Sequence, residues 1–206
     1  MIEMGLVSPA DDSDNRGRIL SAAAALFGER GYASTSLRAI AGAVGMTPPA
    51  LYWYFPSKQA ILHGLLRKAL FDFLEAVEAE VVGPTPAEKL RQFVRAHVER
   101  GLEQPRIGPY EAFFGVRQLA QFLSPEEHAE LVAGQRRHLD LLRGILRDGI
   151  DSGCFRELDM TSTAFAIMSM CDYVTTWWKP TGPIGAEELA AQYADLGMRM
   201  VRSQER

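Results

Sequence analysis

Two adjacent prolines, Pro48 and Pro49, follow Thr47 and precede Ala50, Leu51, Tyr52, Trp53 and Tyr54. Inside a helix such a pair would be ruinous, but the first four N–H groups of a helix have no intrahelical partner. Thr47 as N-cap and Pro48 at the first helical position therefore start a helix. Upstream, Leu37, Ile40 and Ala41 recur at helical spacing behind a hydroxyl cap at Ser34 or Thr35. Gly45 supplies the positive φ that a sharp helix–helix turn requires. Pro56 ends the second helix and Ser57 caps a third. The stretch 34–58 is thus two short helices about a tight turn, the pattern of a helix-turn-helix, which an ordinary helical hairpin shares.

Tyr52, Trp53 and Tyr54 are consecutive, so one helix cannot bury all three on one face. An exposed aromatic beside Lys58 suits a surface that grips phosphates. Charge supports this. The chain carries a net charge of −4. Between residues 14 and 60 five positive residues (Arg16, Arg18, Arg30, Arg38, Lys58) face two negative ones (Asp14, Glu29), an excess of three that leaves −7 elsewhere.

The 206 residues, 47% of them hydrophobic, suffice for one or two domains with a substantial core. No apolar run approaches the ~18 residues of a membrane span, and the acidic start lacks the features of a signal peptide. Two cysteines, Cys154 and Cys171, fit a reducing, cytoplasmic setting, with a single disulfide left open. Residues 1–14 are expected to be a disordered tail.

The rest reads as helical. Residues 18–30 carry Ile19, Leu20, Ala23, Leu26 and Phe27 on one face and stop at Gly31. Residues 57–82 form a long helix with a wide apolar face, ended by Gly83-Pro84-Thr85-Pro86. Helices follow over 87–103, 110–123, from the Ser124–Glu127 capping box to Gly153, over 159–178 and over 187–201. The expected fold is all-α with about nine helices: a three-helix unit over 15–60 and a larger helical unit over 61–206. No Gly-rich phosphate loop, nucleophile elbow or metal-spaced histidine set points to an enzyme. The two alternatives to DNA binding are an all-helical enzyme and an interaction protein. An interaction protein without DNA would leave the basic and aromatic cluster at 35–58 unexplained.

The sequence resembles the TetR family of bacterial transcriptional regulators. Arg18-Ile19-Leu20, Ala23-Ala24, Leu26-Phe27, Glu29 and Gly31-Tyr32 match that family's first helix. Thr35-Ser36, Ile40-Ala41 and Val44-Gly45-Met46 match its second helix and turn. Leu51-Tyr52, Phe55 and Ser57-Lys58 match its recognition helix and the start of the fourth. The likeness is close over about 16–66 and extends beyond by helix order. It implies a homodimer on double-stranded operator DNA, a small-molecule effector in the C-terminal part, no metal or cofactor, and repression by default.

Carried over by position, Thr47, Pro48, Pro49 and Ala50 would face base edges, where apolar groups can touch thymine methyls, and Arg38 would reach a guanine. Thr35, Ser36, Tyr52, Trp53, Tyr54 and Lys58 would hold phosphates, with Tyr52 also able to join the core beside Leu51 and Phe55. Met168, Tyr173, Trp177, Leu189, Tyr193 and Met200 are expected at a four-helix dimer interface. Effector-lining candidates are Phe73, Phe93, His97, Tyr110, Phe113, Phe114, Arg117, Met168, Met170, Cys171 and Trp177, a set suited to a bulky, mostly apolar molecule. His97 alone reads first as a satisfied core residue. Residues 153–159 and 177–189 are similar to repressors of fatty-acid or steroid catabolism, whose effectors are often acyl-CoA thioesters. Arg91, Arg95, Arg117, Arg136, Arg137 and Arg143 would be the cations available to such phosphates.

Overall fold

The computed structural model describes residues 9–103 and 119–202. Among them the regular structure is helical throughout: α1 (Pro9–Arg30), α2 (Leu37–Ala43), α3 (Pro48–Tyr54), α4 (Lys58–Glu80), α5 (Pro86–Glu103), α6 (Pro125–Asp151), α7 (Met160–Trp177) and α8 (Ala186–Val201), with a 3-10 turn at Ala120–Phe122. The helix expected over 110–123 lies mostly outside the described residues. No described helix is long and apolar enough to cross a membrane.

Helix α1 starts at Pro9, not Arg18, so residues 9–14 of the expected tail are helical. The physical reason is legible in retrospect. Proline is favoured in the first turn of a helix, where its missing N–H costs no intrahelical bond.

The described residues up to Lys68 and those at 119–128 form one compact unit; those at 69–103 and 129–202 form a second. The division falls inside α4, eight residues beyond the expected boundary at 60/61, and 119–128 return to the first unit. A helix continues wherever its apolar period continues, so neither break nor composition change marks the crossing. In the first unit Ile19, Leu20, Ala23, Phe27, Ile40, Ala41, Leu51, Phe55, Ile61 and Leu62 are buried. In the second, the buried residues include Leu74, Val77, Leu90, Val94, Leu131, Leu142, Ile167, Val174, Leu189 and Met198.

Local capping is explicit. The Ser124 N–H donates to Glu127 Oε2 at 2.8 Å and the Glu127 N–H to Ser124 Oγ at 3.2 Å, the reciprocal box expected for α6. Thr85 and Glu88 form a second box at the start of α5. The end of α4 is held by Gln92, whose Oε1 accepts from the N–H groups of Val82 (3.0 Å) and Gly83 (2.7 Å).

The link after α6 is part of the core. Phe155 is 3% exposed, and its ring lies so close over Gly149 that a Cβ there would come within 1.9 Å of it. The Arg156 N–H donates to the Val201 carbonyl at 3.0 Å, tying the link to the end of α8. Gly149→Ala should cost about 1–3 kcal/mol of unfolding free energy by overpacking. In a Phe155→Ala background the same change should cost almost nothing, so a double-mutant cycle in urea checks the contact.

Candidate nucleic-acid interface

Ser36, rather than Ser34 or Thr35, is the N-cap of α2: its Oγ accepts from the Ala39 N–H at 3.1 Å. Gly45 in the following turn has φ +71°, beyond easy reach of an L side chain, and the Met46 N–H closes the turn on the Ala41 carbonyl at 2.9 Å. Thr47 Oγ1 accepts from the Ala50 N–H at 3.4 Å, with Pro48 opening α3. Both capping hydroxyls accept through oxygen and keep a proton to donate. Leu51 and Phe55 are buried, 1% and 3% exposed, which anchors α3 on the first unit's core.

That anchoring turns the remaining α3 side chains outward. Pro48 and Pro49 are exposed and Ala50 is half-buried. Trp53 is 89% exposed and Tyr52 52%, so neither belongs to the core. Arg38, on α2, is exposed as well. Tyr54 is half-buried and turned to α1: its hydroxyl accepts from Asn15 Nδ2 at 3.1 Å and its carbonyl from Arg16 at 2.9 Å. Arg16 also sits 4.6 Å over the Phe55 ring.

Two expected phosphate ligands are corrected. Thr35 is 2% exposed. Its hydroxyl donates to the Gly31 carbonyl at 2.9 Å and lies 3.2 Å from that of Leu26, pinning the end of α1 to the approach of α2. Lys58 Nζ donates to the carbonyls of Tyr32 (2.8 Å), Ala33 (3.2 Å) and Thr35 (2.9 Å) and lies 4.4 Å from the Tyr32 ring centroid. An ammonium has three N–H donors, and these three carbonyls take them. Residue type suggested phosphate; direction assigns both side chains to the turn before α2. An open groove of about 550 Å³ between α1 and α2 is lined in part by Asp14 and Arg18. Arg18 already donates to Asn15 (3.0 Å) and to the Val44 carbonyl (3.1 Å), capping the end of α2.

The second unit gathers several expected effector residues. Phe73, Phe93, Met168 and Cys171 are buried. Burial, with Asp172 beside it, pushes the Cys171 thiol well above its usual range, so it is inert. Trp177 is 46% exposed and sits with Phe165 (52%) and Tyr173 (64%) on the outside of α7. Met168 and Leu189, expected at a subunit interface, are instead intrachain core at 6% and 2%, because they face inward between their own neighbours. Tyr110, Phe113, Phe114 and Arg117 lie outside the described residues.

His97 is buried, and both ring nitrogens have partners: Nε2 lies 2.8 Å from Asp172 Oδ1 and Nδ1 lies 3.1 Å from His138 Nε2. Phe93 stacks on His138 at 4.8 Å, and Phe73 meets His97 edge-on at 5.0 Å. In the sequence His138 stands at helical spacing among Leu131, Leu142 and Ile145, as one more residue of an apolar face of α6. Its partners lie 41 and more positions away, which no local pattern announces. Among the described residues no group of three or more His, Cys, Asp or Glu side chains could hold a metal ion.

The arginines named for a CoA's phosphates are largely engaged. Arg91 pairs with Asp195 at 2.6 Å, Arg95 with Glu99 and Glu187 at 2.9 Å, Arg143 with Asp140 at 3.1 Å, and Arg137 with Glu78. Arg136 is exposed, and Arg117 is outside the described residues.

Residues 19–65 match the model for bacterial regulatory proteins of the tetR family, and residues 83–201 match the tetracyclin repressor-like C-terminal domain. The HTH-type transcriptional repressor KstR2 of Mycobacterium tuberculosis is 30% identical over 186 residues, covering 88% of this chain and 90% of the relative. Among solved structures, the regulator PfmR of Thermus thermophilus is 38% identical with a TM-score of 0.76, covering 92% of this chain and all of that one. AibR, crystallised with isovaleryl coenzyme A and operator DNA, is 28% identical with a TM-score of 0.75, covering 90% of this chain and 96% of that one.

Proposed function

We propose that this chain, which belongs to the TetR family of bacterial transcriptional regulators, represses its target genes as a homodimer on a palindromic operator and is released by a bulky, mostly apolar small molecule held in its second unit. The observation that carries the DNA contact is the outward set on one capped helix-turn-helix: Arg38, Pro48, Pro49, Tyr52 and Trp53. Arg38 reads a guanine edge, the prolines meet thymine methyls, and the hydroxyls of Ser36, Thr47 and Tyr52 donate to phosphates. Trp53 lies along the sugar-phosphate backbone, and Tyr54 holds α3 against α1.

The outer face of α7 and α8, with Phe165, Tyr173, Trp177 and Leu196 exposed, suits a second copy of the chain, which would set two recognition helices one DNA turn apart. The KstR2 relative and the AibR complex support a CoA thioester as effector class. With Arg91, Arg95, Arg137 and Arg143 paired, the phosphates of such a ligand would stay near solvent or displace these carboxylates, while its acyl part entered the second unit. Helix α4 contributes residues to both units and is the proposed lever; a hundredfold preference of ligand for one conformer is worth about 2.7 kcal/mol.

Arg38→Ala tests the reading. Selection of bound sequences from a random DNA pool should show lost preference at one position per half-site, a discrimination of about 1–3 kcal/mol. Trp53→Ala should weaken all sequences alike. An unchanged motif for Arg38→Ala removes that base contact, and no binding of the chain to its upstream DNA even at low salt removes the whole reading.

A further inference from the structure

Three helices of the second unit each send one polar side chain inward, and the three connect: Asp172 from α7, His97 from α5 and His138 from α6. Proton bookkeeping orders the chain. An ionised carboxylate only accepts, so His97 Nε2 carries a proton and donates it over 2.8 Å to Asp172. With one proton on each ring, His97 Nδ1 is then an acceptor and takes the N–H of His138 Nε2 over 3.1 Å. The remaining nitrogen, His138 Nδ1, is left with a bare lone pair. It is buried and has no hydrogen-bond partner, and the residue is 0% exposed.

Buried polar atoms are nearly always paired, and an orphan calls for an explanation such as strain, an ordered water or a missing ligand. Strain is a poor candidate, because the other three nitrogens of the two rings and the carboxylate are well placed. The rings of Phe93 and Phe73 flank His138, stacked at 4.8 Å and edge-on at 5.6 Å, so the orphan sits in apolar surroundings. Burial, then the neighbouring His97, depresses His138 to about 2. The ring is therefore neutral, and an ionic ligand group would be buried there without a counter-charge.

We propose that His138 Nδ1 is the polar subsite of the effector and accepts a hydrogen bond from a hydroxyl on the buried end of an otherwise apolar molecule. Asp172 and His97 are positioning residues: they fix the tautomer that turns the lone pair outward from the chain. The assignment rests on the reading that the effector is held in the second unit.

The test uses the full chain and two matched probes, 1-decanol and its methyl ether, which keeps the oxygen and loses the proton. The alcohol should bind at least tenfold more tightly in calorimetry, and it should move the His138 Nδ1 resonance in ¹⁵N NMR of the wild-type protein. His138→Phe should bring the two probes to equal affinity. Equal affinities in the wild type, binding of neither probe, or a His138 Nδ1 signal that the alcohol leaves unmoved overturns the subsite. So does a bound water that persists at that nitrogen in the presence of the alcohol. Operator release separates this failure from that of the broader reading. If both probes bind equally and both release DNA, the effector unit stands and the subsite falls. If the alcohol binds through His138 and DNA binding is indifferent to it, the subsite stands and the effector reading falls.

Discussion

Lys58→Ala should weaken binding to every operator sequence while leaving the salt dependence of binding at its wild-type slope. The three Nζ hydrogen bonds, to Tyr32, Ala33 and Thr35, are charge-assisted, each worth about 1.5–3 kcal/mol in favourable cases. They share one partly exposed cation and are not additive, so the expected loss of unfolding free energy is about 3 kcal/mol. The three carbonyls belong to the turn that delivers Ser36 to its capping position, so losing the clamp loosens the start of α2 and with it Arg38. No phosphate contact is lost, and the slope of log affinity against log salt therefore stays. A direct phosphate ligand would instead reduce that slope by about 0.9. Anisotropy titrations at several salt concentrations, with urea unfolding of the same variant, decide between the two. A reduced slope with unchanged stability would return Lys58 to the DNA.

Lys58 and Thr35 also show what a sequence conceals. The turn itself was legible: Gly45 at a position needing positive φ, Thr47 before Pro48, Leu51 and Phe55 spaced to anchor α3, and Ser124 three residues before Glu127. Each is a local rule with a local cause, and the geometry follows it. The direction of a side chain is set by what surrounds it. Thr35 and Lys58 lie 23 residues apart, and only the folded chain shows that the lysine reaches the Thr35 carbonyl. The same holds for Asp172, His97 and His138, brought together from α7, α5 and α6. A histidine on an apolar face carries no sign of whether its ring is satisfied. The arginines of the second unit illustrate the converse. Their number suggested a phosphate site, but carboxylates engage four of the six: Arg91, Arg95 and Arg137 from neighbouring helices and Arg143 from its own. The boundary between the units escaped detection for a different reason: α4 keeps its apolar period unbroken from Ile61 to Val77, so no residue marks where one unit gives way to the other.

Acid should destabilise the second unit well before its carboxylates titrate. His138 is held neutral in the folded state, its pKa pushed down to about 2 from an ordinary 6.5 by burial and by His97. In the unfolded chain it protonates near 6.5. Below that value the unfolded state binds one proton more than the folded state, so unfolding free energy falls with pH. The stability His138 confers is complete above about 6.5 and drains progressively down to about 2, at up to ~1.4 kcal/mol per pH unit. Between pH 6.5 and 5 the expected loss from this group is about 2 kcal/mol. Asp159 and Asp195, whose carboxyls are lowered by helix capping and by Arg91 respectively, act in a lower window, because their unfolded values already lie near 4. Urea unfolding of the wild type and of His138→Leu at pH 7, 6 and 5 separates the contributions: the variant should lose most of the slope in this interval and keep the fall below pH 4.5. A wild-type profile flat from pH 7 to 5 would mean that a proton is accommodated on the chain in the folded state. The bare lone pair on Nδ1 would then no longer follow from the order of donors that runs from Asp172 through His97.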